Sequence, residues 1–129
     1  MARIHVIETA TRPLETPAFF PVNNAGARGE GNGPPYWTEI PDMKTMLLNA
    51  HFLNNSSLFQ TLCNVGLHNH YAHDGVFFLD SGGLQQRLYN EKVDPLEILR
   101  VQEKLGADIA STLDVPVLPS DDPLSNSHA

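Results

Sequence analysis

Two aspartates in this sequence follow segments that are predicted to be strands, a placement that suits acid–base chemistry. Asp80 comes directly after residues 76–79, and Asp114 follows residues 108–113. If both segments are neighbouring strands of a parallel sheet, the two carboxylates lie at its C-terminal edge, where loops of α/β proteins carry the chemistry. Paired acids suit general acid–base catalysis, or recognition of a base whose N–H groups need acceptors. Aspartate is also common in turns, so spacing alone favours the two roles about equally.

The residues after Asp80 extend this candidate site. Ser81 adds a hydroxyl group, and Gly82 and Gly83 carry no Cβ. A flat ligand can therefore approach the backbone closely at the two glycines. We expect a ligand pocket formed by Asp80, Ser81, Gly82, Gly83 and Asp114.

The elements that must position these residues form one βαβ unit. Residues 76–79 are continuously apolar, as in strands buried on both faces, and residues 108–113 are predicted to form the next strand. Between them, Asp94 is a good N-cap, Pro95 suits the first helical position, and Gly106 suits the C-terminal stop. The predicted helix has an apolar side and a charged side. The apolar side holds Leu96, Ile98, Leu99, Val101 and Leu105, and the charged side holds Glu97, Arg100, Glu103 and Lys104.

The first part of the chain is less regular. Residues 18–22 are predicted to be a short strand, which Pro17 and Pro21 confine to a strand start or an edge. Residues 25–37 are a Gly/Pro-rich loop, and residues 117–129 an irregular tail. Periodicity does not decide between strand and helix for residues 46–53, for which we favour a strand. The whole chain, 1–129, is treated as a single α/β domain with about four strands.

Composition narrows the function classes. Eight Lys and Arg against 15 Asp and Glu give a net charge of −7, and 41% of the 129 residues are hydrophobic. This acidic balance argues against nucleic-acid binding by bulk charge, which needs clustered basic residues. Cys63 is the single cysteine, which excludes an internal disulfide. No apolar run is long enough to span a membrane, so we expect a cytoplasmic protein.

Three histidines, His68, His70 and His73, are the alternative candidate site. Imidazoles are good zinc ligands, but nothing in the sequence places these three on a rigid element, so a metal role is the less favoured interpretation.

The order of several motifs resembles one enzyme family. Residues 80–85 (DSGGLQ) resemble the D-S-G-G-[FYL]-Q signature of tRNA-guanine transglycosylases. Five further segments are similar to motifs of that family, in the same order: 16–22, 48–53, 66–68, 105–109 and 113–116. Leu113-Asp114-Val115-Pro116 is closer to the archaeal L-D-I-P than to the bacterial F-D-E-C. The resemblance covers about residues 15 to 120.

The resemblance implies the N-terminal part of a (β/α)₈ barrel that exchanges guanine for a 7-deazaguanine base in tRNA, or in DNA in a related branch. By motif, Asp80 is the catalytic acid/base residue, Ser81, Gly82 and Gly83 line the base pocket, and Asp114 binds the Watson–Crick edge of the base. The family's nucleophilic aspartate and its zinc site belong to the second half of the barrel. We therefore expect no cofactor in this chain.

Two interpretations stay open. The chain is either the base-binding part of such an enzyme, or a non-catalytic remnant or assembly module. A half-barrel exposes strand edges, which favours a homodimer or a complementing chain as partner. An unrelated α/β barrel is a more remote alternative.

Overall fold

A computed structural model of the chain describes residues 3–25, 40, 42–88, 92–114 and 117. Apart from Ala25 and Val117, the predicted loop at 25–37 and tail at 117–129 lie outside these residues. The elements of the described part follow in the order β1 (His5–Glu8), β2 (Pro13–Thr16), β3 (Thr45–Asn49), α1 (Ala50–Asn54), α2 (Phe59–Val65), α3 (Leu67–Tyr71), β4 (Val76–Asp80), α4 (Gly83–Leu88), α5 (Pro95–Leu105) and β5 (Ile109–Ala110).

A parallel sheet with the strand order β3-β4-β5 is the centre of the fold. Residues 76–79 form a strand as predicted, and the strand extends by one residue to Asp80. One face of the sheet is covered, because Met46, Leu48, Phe77 and Leu79 are fully buried and share a core cluster with residues of the helices. The fold class is therefore α/β as expected. Within the described residues the sheet is open and has three strands, so they show no closed barrel.

The predicted strand at 46–53 is only half correct. Strand β3 stops at Asn49 and helix α1 begins at Ala50. Asn49 keeps an extended backbone, and its side chain accepts a hydrogen bond of 3.1 Å from the backbone N–H of Phe52. This is N-cap geometry, so the asparagine inside the apolar run ends the strand and starts the helix.

Helix α5 agrees with its predicted ends. The Asp94 side chain accepts a hydrogen bond of 3.0 Å from the N–H of Leu96, and Gly106 ends the helix with φ of +82°. Residues Ile98, Val101 and Leu105 are buried, and the predicted charged side is exposed. Leu96 was wrongly assigned to the apolar side, because it is 59% exposed in the first turn.

Two other predicted strands are shorter than expected. Within 18–22, only Val22 makes a bridge, parallel to Leu47 on the outer edge of β3. Prolines have no N–H to donate, which keeps this segment from pairing further. The predicted strand at 108–113 is reduced to Ile109–Ala110. The next residue, Ser111, still donates to the carbonyl of Leu79 in β4, and its backbone is also bound by a side chain of α5.

The antiparallel hairpin β1–β2 was not predicted from the sequence. All four β1 residues are exposed and β2 buries only Leu14, so the hairpin lacks the alternating apolar pattern that would reveal it. It is attached to the parallel sheet through its turn, since Ala10 N–H donates to the carbonyl of Asp108 at 3.3 Å. The position of the hairpin on the sheet therefore depends on a contact with Asp108, which is far along the chain.

Candidate functional site

Asp80 occupies the C-terminal edge of the parallel sheet. It is the last residue of β4, pairs in register with Asn49 at the end of β3, and is exposed to solvent. Its Oδ1 accepts a hydrogen bond of 2.9 Å from the backbone N–H of Ser81. The carboxylate is thus oriented by the following peptide while it stays accessible to a ligand.

Ser81 connects the two predicted acids. Its side chain points into the protein and the residue is 1% exposed, while Asp114 is exposed. The backbone N–H of Asp114 donates to Ser81 Oγ at 3.5 Å, a long hydrogen bond. The structure therefore brings the Asp114 backbone to the turn that follows Asp80, as the βαβ prediction requires.

Gly82 is needed for the packing of this turn. Its φ is +79°, and a Cβ at this position would lie 2.3 Å from Cβ of His51 and 2.8 Å from Oδ1 of Asn49. The space that a side chain would need is thus filled by the start of α1. Gly83, which is buried, begins helix α4. The close approach of a ligand to these glycines stays a prediction.

Three residues that support the site were not identified from the sequence. Asn49 and His51 are buried beside Gly82, and Gln102 of α5 is buried completely. Gln102 lies four residues after Ile98, on the apolar side of its helix. A polar residue at such a position is the signal that could have revealed it, since buried amides need hydrogen-bond partners.

Asp108 organises the opposite, N-terminal edge of the sheet. The acid is buried and accepts hydrogen bonds of 2.8 Å from the backbone N–H of Phe77 and 2.8 Å from Nε2 of His68. The hydroxyl groups of Thr9 and Thr11 in the hairpin turn also donate to it. These contacts join β4, α3 and the hairpin, so Asp108 has a structural role. Its place at the amino end of β5 agrees with the usual separation of stability and chemistry in parallel α/β folds.

Two of the three histidines of the alternative site, His68 and His73, pack against the core. His68 binds Asp108, and both His68 and His73 contact the ring of Phe77 edge-on. Burial lowers the pKa of His73 from its ordinary value of 6.5, and His68 and Arg12 act in the same direction. In the part of the chain that the structure describes, no group of three or more His, Cys, Asp or Glu side chains could hold a metal ion. The structure therefore does not bring His68, His70 and His73 together as a metal site.

A cavity of about 750 Å³ lies away from the two acids. It is lined by strand β2 and by residues around the starts of β3 and β4, among them Arg12, Lys44 and Gly75. It is therefore on the hairpin side of the sheet, at the edge opposite to Asp80. At the edge of the predicted ligand site, Asp80 and Asp114 are exposed, whereas Ser81, Gly82 and Gly83 are buried.

The fold and the site define an α/β protein whose polar strand-end residues meet at the C-terminal edge of a parallel sheet. The family model described as queuine tRNA-ribosyltransferase matches residues 1–128. The chain belongs to this family, as the ordered motifs indicated. Among the described residues no helix is long and apolar enough to cross a membrane.

The chain is similar to proteins from several archaea. The chain is 30% identical over 121 residues to the tRNA-guanine(15) transglycosylase of Methanococcus aeolicus, covering 92% of this chain and 18% of the relative. It is 34% identical over 121 residues to the protein of that name from Korarchaeum cryptofilum, covering 90% of this chain and 20% of the relative. It is 32% identical over 125 residues to the protein of the same name from Thermococcus onnurineus, and the match covers 91% of this chain and 20% of the relative. The chain thus spans about a fifth of the length of these relatives.

Proposed function

We propose that this chain carries the base-recognition part of a tRNA-guanine transglycosylase, with guanine or a 7-deazaguanine base as its ligand. The observation that carries the proposal is the hydrogen bond between Ser81 Oγ and the Asp114 backbone N–H. This hydrogen bond connects the segment after Asp80 with the segment that carries Asp114. These are the two acids that bind the base according to the family resemblance. Family membership and the names of the relatives support guanine as the base and tRNA as the polymer. The polymer in turn favours the cytoplasm as location.

The proposed roles follow from the chemistry of the base. Guanine presents N–H and NH₂ donors on its Watson–Crick edge, and ionised carboxylates accept such hydrogen bonds well. Asp114 binds this edge. Asp80, which is exposed and held by the Ser81 N–H, handles the proton that the leaving base takes up and the incoming base releases. Ser81, Gly82 and Gly83 form the wall between them.

The proposal covers base recognition and proton transfer by these residues. In the family reaction a separate aspartate attacks C1′ of the ribose, and that aspartate is outside the six matched motifs. Recognition by carboxylates and backbone groups needs no cofactor. Base exchange therefore requires this chain to act together with the residues that supply the nucleophile, in the same polypeptide or in a partner chain.

An assembly module is the second candidate function, and exposed apolar side chains favour it. Phe19 is 81% exposed and Val22 is 51% exposed, both in the segment along the outer edge of β3. A second copy or a complementing chain that pairs with this edge would cover them. In that case the chain associates without binding a base.

Calorimetry of the full chain with guanine and with 7-deazaguanine tests the first candidate. We expect saturable binding that Asp80→Ala weakens at least about tenfold, since a charge-assisted hydrogen bond is lost. Asp74→Ala is the matched control, because Asp74 is also an exposed acid and precedes β4 at the other edge of the sheet. Equal affinities for the parent and Asp80→Ala would contradict the assignment. If neither the parent nor Asp80→Ala binds a base, and sedimentation shows a concentration-dependent dimer, the result would favour the assembly module.

A further inference from the structure

Gln102 is a fully buried polar residue whose side chain is hydrogen-bonded to both backbone groups of Ser111. Its Nε2 donates to the carbonyl of Ser111 at 2.8 Å, and its Oε1 accepts from the Ser111 N–H at 3.0 Å. The second hydrogen of the amide is used as well, since Nε2 also donates to the carbonyl of Ile98 at 3.3 Å. The amide thus binds the backbone of Ser111 as a neighbouring strand would.

Ser111 begins the segment that leads to Asp114. Its N–H also contacts the carbonyl of Leu79 in β4 at 3.1 Å, so Ser111 is still attached to the sheet. Three residues later, the Asp114 N–H donates a long hydrogen bond to Ser81 Oγ. Hydrogen bonds therefore hold the segment 111–114 at both ends, from Gln102 at its start and to Ser81 at its end.

Packing alone does not require an amide at this position. Ile98, Val101 and Leu105 are the other buried residues of α5, and an apolar side chain of similar length would continue that surface. Because burying a polar group costs free energy unless all its hydrogen bonds are formed, the amide is explained by what it binds. A satisfied buried polar group selects one arrangement of the backbone over its alternatives.

We propose that Gln102 is a positioning residue, which fixes the Ser111 peptide and thereby directs Asp114 toward Asp80. The inference rests on the proposed base-binding function and adds a residue that does not touch the base. It acts through the backbone of residues 111–114. Removing the amide should therefore weaken base binding even when the core stays intact.

The test compares Gln102→Met with Val101→Ala in the full chain. Methionine keeps the length and volume of the side chain without its hydrogen bonds, whereas Val101→Ala disturbs the same buried helix face, and no bond from Val101 to Ser111 is lost. We expect Gln102→Met to speed hydrogen exchange at the amides of Ser111 and Asp114 and to weaken guanine binding about tenfold. Val101→Ala should destabilise the chain without weakening guanine binding, and any faster exchange should be spread over the core amides instead of concentrated at Ser111 and Asp114.

The two readouts separate the proposals. Parent-like guanine affinity in Gln102→Met overturns the positioning role while base recognition stands. If the parent itself does not bind guanine, base recognition fails, and exchange at Ser111 and Asp114 alone decides whether Gln102 orders the segment. Equal protection of these amides in both variants contradicts that ordering. Where Gln102→Met does not fold, Gln102→Asn retains an amide one methylene too short to reach Ser111, and the same outcomes apply.

Discussion

The backbone N–H of Phe77 donates a hydrogen bond of 2.8 Å to the carboxylate of Asp108. A buried acid at the amino end of β5 thus binds the main chain of the neighbouring strand β4. The exposed acid of β4, Asp80, lies at the other end of that strand. The two aspartates therefore have different roles. Asp108 stabilises the N-terminal edge of the sheet, and Asp80 at the C-terminal edge is available for a ligand.

Asp108→Ala should be among the most destabilising single substitutions in the chain. It would leave the Phe77 N–H and His68 Nε2 without the acceptor they share. The hairpin turn would lose the contacts of its Thr9 and Thr11 hydroxyl groups and keep only the backbone bond from Ala10. We expect a loss of about 3 kcal/mol in the free energy of unfolding, measured by urea denaturation. Glu103→Ala, at an exposed position on α5, is the control and should change it by less than about 0.5 kcal/mol. A loss no larger than in this control would refute the anchoring role.

His73 should make the chain less stable in mild acid. Burial lowers its pKa in the folded state, so the unfolded chain binds the proton more readily. The resulting stabilisation is complete above the unfolded pKa of about 6.5 and is lost as the pH falls toward the folded pKa.

Unfolding measured at about pH 7.5 and about pH 5.5 checks this dependence. The loss of stability between the two conditions should be smaller in His73→Gln than in the parent. His5→Gln, which removes an exposed histidine of β1, should keep the parental loss. An unchanged pH dependence in His73→Gln would show that another group is responsible.

Gly82→Ala should be much more harmful than Gly106→Ala, although both glycines have φ near +80°. A Cβ at Gly106 has no neighbour within 4 Å, so that substitution carries only the backbone cost of about 1 kcal/mol. At Gly82 the added carbon meets His51 and Asn49, which should cost about 1–3 kcal/mol more. Thermal or urea unfolding of the two variants measures the difference. Equal losses would mean that α1 moves away from the turn without cost.

Local sequence signals predicted part of this fold correctly. The strand at 76–79 and the helix from Pro95 to Leu105 depend on an apolar run, an N-cap, a proline and a C-terminal glycine, all of which act within a few residues. The ordered motifs indicate the family without any knowledge of the fold, and residues 1–128 match its model. The choice of Asp80 and Asp114 as site residues also came from the sequence, and their roles await the binding test.

What only the tertiary structure decided are the contacts between distant parts of the chain. The strand at 46–53 was predicted too long, because the capping role of Asn49 depends on a backbone turn that an apolar run does not reveal. Thr11 and Asp108 are 97 positions apart, and Ser81 and Asp114 are 33 apart. Hydrogen bonds over such separations form only after the chain has folded, and they leave no periodic pattern in the sequence. The sequence by itself therefore determined the local elements and the family, whereas tertiary packing decided which acid supports the sheet and which one faces solvent.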